Sequence, residues 1–214
     1  MEHYTYDKKN GLWYKLEGDY YVPCVTVPEV KLTGLWGERR RHFLKDHQKA
    51  LYVGISNYPA DKQKECYDYL HAAHVPCVIS QYKANILFQE TLINNLPVAK
   101  DNGSGFICFS PLAQGLLTNR YIHGIPAGSR ASKNVFLRPE QITTQAVDCA
   151  QRLGNIAAER GQSLAQMAIS WLLSKDVTSV IIGASSVAQL EDNLQAIHNT
   201  TFTADELARI DAAI

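Results

Sequence analysis

Residues 106–115 read Phe106-Ile107-Cys108-Phe109-Ser110-Pro111-Leu112-Ala113-Gln114-Gly115, and this stretch decides the fold. Its first four residues are apolar without interruption, which is typical of a strand buried on both faces of a parallel sheet. The chain then turns to Ser, Pro and Gly, the residues that begin a loop. Ligands of α/β proteins bind at the carboxyl ends of strands, so this loop is a candidate binding segment.

The same design recurs along the chain. Residues 52–58 read Tyr-Val-Gly-Ile-Ser-Asn-Tyr and residues 180–186 read Val-Ile-Ile-Gly-Ala-Ser-Ser. Strands alternating with helices predict a parallel sheet with right-handed crossovers. Four such units amount to half of an eight-stranded barrel, so we predict an α/β fold with a partial (half) TIM barrel of about four parallel βα units. The predicted strands are 52–57, 77–81, 105–110 and 178–183, and the predicted helices are 59–74, 89–102, 139–160, 163–174, 187–198 and 204–213.

Three of the predicted helices begin with the same local pattern. A Ser or Thr followed three residues later by Gln or Glu is typical of a capping box, in which each side chain binds the backbone N–H of the other residue. The three pairs are Ser163 with Gln166, Ser186 with Gln189, and Thr203 with Glu206.

Composition excludes several classes of function. The chain has 214 residues, of which 46% are hydrophobic and 20% charged, and its 21 basic residues equal its 21 acidic ones. This balance gives no overall field that would attract nucleic acid or a membrane. The five cysteines have no Cys-x-x-Cys spacing, so neither a metal site nor a disulfide framework is predicted. With no apolar run of about 18 residues and no basic-then-apolar leader, we expect a cytoplasmic protein.

Residues 1–49 differ in amino-acid composition and pattern from residues 50–214, and we predict them to be a short irregular or helical appendage. They hold five of the eleven tyrosines and lack a long apolar run. The basic run at 38–49 could be a nucleic-acid-binding helix or a solvated helix face. Residues 1–49 contain nine basic and seven acidic residues, which favours the solvated face, so we do not expect a nucleic-acid partner.

Polar residues follow the predicted strands, and each group has two interpretations. The run 183–186 opens directly into a helix, where backbone N–H groups and the positive helix end suit a phosphate, although a capped helix after a buried strand looks the same. Arg120 and Arg130 could clamp a diphosphate, or they could be solvated surface residues.

Residues from about 49 to 214 resemble the carboxyl-terminal half of an aldo-keto reductase. The similarity rests on residues 49–58, 109–118, 180–185 and 189–193, and it is greatest for the branch with potassium-channel beta subunits and bacterial glyceraldehyde-type reductases. The resemblance implies a TIM barrel that binds NADP(H) in an extended pose and reduces a small-molecule aldehyde or ketone.

Carried over by position, the resemblance also implies which residues hold the cofactor. The nicotinamide end would contact Ser56, Asn57 and Gln81. The ring and the diphosphate would contact Phe109, Ser110, Pro111, Leu112, Ala113 and Gln114, with Arg120 and Arg130 on the phosphates. The adenosine end and its 2′-phosphate would contact Gly183, Ser185, Gln189, Asp192 and Asn193.

The sequence departs from the family in one respect that bears on catalysis. The family's proton donor is a Tyr assisted by Lys, Asp and His on the first four strands, which this sequence does not show. Loss of a general acid commonly lowers the rate by about 10²- to 10⁴-fold, so we expect a truncated, impaired reductase and assign no catalytic residue. The open barrel edges could be covered by residues 1–49, by a second copy of the chain, or by nothing, and the exposed apolar surface of a half barrel favours a homo-oligomer. The alternative is a non-enzymatic nucleotide-binding remnant or a transposon-associated protein.

That alternative comes from a second resemblance. Residues 1–49 resemble the transposon-encoded TnpV proteins of Gram-positive anaerobes, through residues 20–23, 27–29, 34–40 and 43–47. This resemblance implies that two unrelated segments are fused near residues 46–51.

Overall fold

A computed structural model describes residues 4–7, 12–17, 20–23, 52–133 and 137–214 of the chain. Contacts between residues divide the chain into two compact units, Met1–Leu51 and Tyr52–Ile214.

The described part of the first unit is a three-stranded antiparallel sheet. Its strands are β1 (Tyr4–Asp7), β2 (Leu12–Glu17) and β3 (Tyr20–Pro23), in the order β1-β2-β3. For these three segments the expectation of irregular or helical structure is wrong. They are rich in Tyr, Trp, Thr and Val, which favour extended backbone. The basic run at 38–49 lies outside the described residues.

The second unit alternates strands with helices. Its strands are β4 (Val53–Ser56), β5 (Cys77–Lys83), β6 (Gly105–Phe109) and β7 (Ser179–Val180). Its helices are α1 (Ala60–Ala72), α2 (Glu90–Asp101), α3 (Arg130–Lys133), α4 (Thr144–Glu159), α5 (Leu164–Leu173), α6 (Val187–Leu194) and α7 (Ala204–Ala212). Short 3₁₀ turns lie at Ala113–Gly115, Asn119–Tyr121, Pro139–Gln141 and Gln195–His198.

The four strands of this unit form one parallel sheet in the order β4-β5-β6-β7. A partial α/β barrel with four parallel strands is therefore confirmed. β7 is shorter than the predicted strand 178–183. The N–H of Ile181 still donates to the carbonyl of Cys108 at 2.7 Å, but β6 ends at Phe109 and Ser110 turns away with φ 57°, so the ladder has no further partner.

The core lies between the sheet and its helices. Tyr82 and Phe106 stack at 5.1 Å between ring centroids, and Leu153, Met167 and Trp171 are fully buried beside them. Burial of each such large side chain stabilises the fold by about 1.5–3 kcal/mol. The alternate residues of β5 and β6, including Gln81, Ile107 and Phe109, are only half-buried because they face away from this core.

A buried polar network ties β5 to the helices that cover it. The Tyr67 hydroxyl is hydrogen-bonded to the Ser80 hydroxyl and accepts from Gln63 Nε2 at 3.2 Å. Asn95 Nδ2 donates to Gln63 Oε1 at 2.7 Å and to the Tyr58 carbonyl at 3.0 Å. Since Ser80 precedes Gln81, the network fixes the strand position from which Gln81 projects.

Candidate functional site

The loop after β6 is held in a strained conformation. Ser110, Ala113 and Gln114 have φ values of 57°, 46° and 61°, in the left-handed region that non-glycine residues rarely adopt. Asn85 Nδ2 fixes the first of these turns by donating to the Ser110 carbonyl at 2.9 Å. Such strain concentrates where a ligand approaches the backbone, which makes this loop a candidate binding element.

The loop continues into a second fixed turn. Thr118 Oγ1 donates to the Gly115 carbonyl at 2.6 Å and accepts from the Arg120 N–H at 3.1 Å. Gly115 has φ 104°, and a Cβ added there would lie 3.2 Å from Cε2 of Tyr121. The loop therefore packs directly against the buried Tyr121 ring at Gly115.

The start of α6 differs in one detail from the predicted capping box. Ser186 Oγ accepts from the Gln189 N–H at 3.2 Å, as expected for the cap. Gln189 Oε1 accepts from the N–H and the hydroxyl of Ser185 at 2.8 and 2.9 Å, one residue before the N-cap. The boxes of α5 and α7 form in full.

A cavity of about 510 Å³ lies between the loop after β6 and the starts of α5 and α6, at the carboxyl ends of β6 and β7. Its lining brings together most of the residues that the sequence assigned to a cofactor. These are Ser110, Pro111, Leu112, Gln114, Arg120, Arg130, Gly183, Ser185, Gln189, Asp192 and Asn193.

The remaining predicted residues lie outside the cavity. Ser56 ends β4, Asn57 follows it, and Gln81 lies two residues before the end of β5. The Gln81 carbonyl accepts from the Ser56 hydroxyl at 2.9 Å and from the Asn57 N–H at 3.2 Å. Phe109 ends β6, and Ala113 lies in the 3₁₀ turn of the loop. Because all four strands are parallel, the ends of β4, β5 and β6 share one edge of the sheet.

Sequence reasoning missed one wall of the cavity. The start of α5 supplies Ser163, Leu164 and Ala165. Gln166 Nε2 ties this wall to α6 by donating to the carbonyl and the carboxylate of Asp192 at 3.0 and 2.8 Å. The capping box marked the helix start, but only the tertiary fold places it beside α6. The other lining residues not predicted are Gly115, Thr118, Asn119 and Ala184.

The cavity suits an anion. Arg120 and Arg130 line it, and Arg130 Nη1 is held by Gln114 Oε1 at 2.5 Å. Among the described residues of the lining, Asp192 is the only acidic one. Two guanidinium groups and two helix N-termini give a positive potential suited to phosphate.

Asn193 provides the most specific sign of a ligand. Its side chain is 2% exposed, it lines the cavity, and its Nδ2 has no hydrogen-bond partner among the described residues. A buried donor left unpaired costs about 1–3 kcal/mol, and most such donors in proteins are paired. The geometry therefore fits a ligand that presents an acceptor at this depth, as the base of a nucleotide does.

The titratable groups with shifted pKa values do not belong to the cavity. Burial raises the pKa of the Cys108 thiol to about 12 and also raises the pKa of the Tyr82 phenol. Both groups lie on the buried, helix-facing side of the sheet. Neither is therefore placed to exchange a proton with a ligand in the cavity.

The described ranges contain no cluster of three or more His, Cys, Asp or Glu residues that could hold a metal ion. Within the same ranges, no helix has the length and apolar character needed to cross a bilayer.

Comparisons with known proteins agree with this fold. L-glyceraldehyde 3-phosphate reductase of Escherichia coli K12 is 45% identical over 172 residues, which are 78% of this chain and 50% of the relative. A probable voltage-gated potassium channel subunit beta of Oryza sativa subsp. japonica is 32% identical over 165 residues, 74% of this chain and 50% of the relative. The chain thus spans about half the length of the curated relatives it matches.

A solved structure shows the same architecture. Glycerol dehydrogenase of Gluconobacter oxydans superposes with a TM-score of 0.66 at 19% identity, over 83% of this chain and 53% of that one. The TnpV resemblance of residues 1–49 stays a prediction. The profile of the aldo/keto reductase family matches residues 42–214, and the chain therefore belongs to that family.

Proposed function

We propose that residues 42–214 form the nucleotide-binding half of an NADP(H)-dependent aldo-keto reductase that acts on aldehydes or ketones. The observation that carries this proposal is the unpaired, buried Nδ2 of Asn193, a residue that lines the cavity together with Arg120 and Arg130. Family membership supports the reaction class. The name of the E. coli relative favours a small carbonyl substrate.

The cavity residues divide into a phosphate end and an adenosine end. Arg120 and Arg130 would bind the diphosphate through forked hydrogen bonds, since a guanidinium presents its N–H groups in that geometry. Asp192 would accept from ribose hydroxyls, and Asn193 would donate to a ring nitrogen of the adenine.

The strand ends outside the cavity would hold the nicotinamide end. Ser56 and Gln81 are paired in register, so they lie on one face of the sheet, opposite the buried Ser80. Phe109, on that same face of β6, would stack against the ring. The bound cofactor would supply the hydride, and these residues would fix which face of the ring is presented.

Proton transfer is the weak step of this site. The residues that would surround the nicotinamide, Ser56, Gln81 and Phe109, include no general acid, and the described lining of the phosphate and adenosine cavity contains no Tyr, Lys, His or Cys. Without a general acid beside the carbonyl oxygen, we expect a rate about 10²- to 10⁴-fold below that of a complete site. Cofactor binding and turnover are therefore separable, and binding is the property to measure first.

Titration of NADPH fluorescence with the purified chain tests the proposal. The wild-type chain should bind NADPH saturably, and Asn193→Leu should bind about tenfold more weakly, because one buried hydrogen bond to the base is lost. Asn102→Leu is the matched control, since Asn102 is exposed just after α2, where its Nδ2 donates to the Val98 carbonyl at 2.8 Å, and it lies outside the cavity lining. Absence of saturable binding by the wild-type chain would refute the proposed function.

A further inference from the structure

Two helices that border the cavity start with the same four-residue pattern but use it differently. At α5 the box is reciprocal, because the Ser163 N–H donates to Gln166 Oε1 at 3.0 Å and the Gln166 N–H donates to Ser163 Oγ at 3.2 Å. At α6 only the second bond forms, and Gln189 Oε1 accepts from the N–H and hydroxyl of Ser185 instead.

The groups that Gln189 engages are the ones an anion would use. The N–H and hydroxyl of Ser185 lie at the positive end of α6, in the lining of the cavity. Asn193, whose buried Nδ2 lacks a partner, lies on the same helix and in the same lining. That unpaired donor is independent of the helix end and marks this part of the cavity as a ligand site.

We propose that Gln189 is an intramolecular competitor for the phosphate-binding groups of Ser185, so that a ribose phosphate binds only by displacing its amide oxygen. This inference rests on the proposed function, and it changes the role of Gln189 from a cofactor contact to a group that lowers affinity for one class of ligand.

Charge decides which ligands displace the amide. A phosphate oxygen accepts charge-assisted hydrogen bonds that are roughly twice as strong as neutral ones, and the helix end adds to that preference. A ribose hydroxyl is neutral and gains no such advantage over the amide. Gln189 therefore weakens the binding of a nucleotide with a 2′-phosphate and leaves the binding of one with a free 2′-hydroxyl unaffected.

Calorimetric titration with two probes tests this role. Adenosine 2′,5′-bisphosphate and adenosine 5′-monophosphate differ only in the 2′-phosphate. Gln189→Ala should bind the bisphosphate about three- to tenfold more tightly than the wild-type chain, because the Ser185 groups lose their internal acceptor. Its affinity for the monophosphate should not change. Gln189→Glu should bind the bisphosphate more weakly than wild type, since a carboxylate holds the same groups and repels phosphate.

Gln195→Ala is the matched control, because Gln195 is an exposed glutamine in the 3₁₀ turn after α6, outside the cavity lining. Weaker or unchanged bisphosphate binding by Gln189→Ala overturns the competitor role, as does tighter binding by the control variant. If the wild-type chain binds neither probe and does not bind NADPH, the proposed function fails and the inference fails with it. If the wild-type chain binds NADPH saturably and Gln189→Ala binds the bisphosphate more weakly than wild type, the inference about Gln189 is refuted while the proposed function stands.

Discussion

The ion pair between Arg160 and Glu206 carries the clearest stability prediction. The Arg160 side chain is 4% exposed and follows the end of α4, while Glu206 is 21% exposed in the first turn of α7. Arg160 Nη1 donates to Glu206 Oε1 at 2.6 Å, and the guanidinium lies 3.6 Å from the centroid of the Phe202 ring. Its Nη2 also donates to the Thr201 carbonyl at 3.0 Å.

Glu206→Gln removes the charge opposite Arg160 while leaving an oxygen that can accept from the Thr203 N–H in the capping box. Breaking a buried pair on one side typically costs about 3–5 kcal/mol. We place this case near 3 kcal/mol, because Arg160 keeps its carbonyl partners. For a unit of this size that loss lowers Tm by about 6–12 °C.

Thermal unfolding followed by circular dichroism measures the shift. Glu159→Gln is the matched control, because Glu159 also pairs with an arginine, Arg209, but at 58% and 41% side-chain exposure. A solvent-screened surface pair of this kind contributes little to stability, so its loss should lower Tm much less than the loss of the Arg160–Glu206 pair does. Equal shifts for the two variants would refute the argument from burial.

Three further predictions follow from the geometry. Hydrogen bonding from the Thr203 N–H and pairing with Arg160 lower the pKa of Glu206. The stability that ionised Glu206 contributes is therefore present above its unfolded pKa and is lost as pH falls through its lower folded pKa. Unfolding measured between about pH 6 and pH 3 should show a smaller loss of stability for Glu206→Gln than for wild type. Gly115→Ala should destabilise by about 1–3 kcal/mol more than Gly124→Ala, since both glycines have positive φ but only Gly115 faces the Tyr121 ring; equal melting temperatures would contradict this. The half-buried face of the sheet around Ile79 and Phe109 should drive self-association, and sedimentation as a compact monomer would argue against it.

The sequence predicted the elements whose signals are local. β4, β5 and β6 lie at short, mainly apolar runs that give way to polar residues, and α5 and α7 begin at their capping boxes. β7 was predicted too long, because the length of a ladder depends on where the neighbouring strand turns. The strands in residues 4–23 were missed because each is only four to six residues long, although Tyr4–Asp7 and the second half of β2 do alternate apolar with polar residues.

The candidate site was predictable in part for a related reason. Loop residues such as Ser110 and Gln114 are predictable as site residues because they directly follow a recognisable apolar strand. Ser163, Leu164 and Ala165 at the start of α5 are not predictable in this way, since only helix packing brings them to the cavity. The choice of Gln189 between Ser185 and Ser186 is likewise decided by tertiary geometry, because the same pattern at α5 forms the full box.

The buried network of Gln63, Asn95 and Tyr67 influences the opposite face of the sheet, although it contacts β5 only at Ser80. If β5 slipped by one residue, Ser80 and Tyr82 would exchange sides with Gln81 and Lys83, and the Tyr67 hydroxyl would lose the Ser80 hydroxyl to which it is hydrogen-bonded. The free-energy cost of losing that buried hydrogen bond stabilises the observed register of β5. The far side of the sheet thus determines which side chain reaches the rim where we place the nicotinamide.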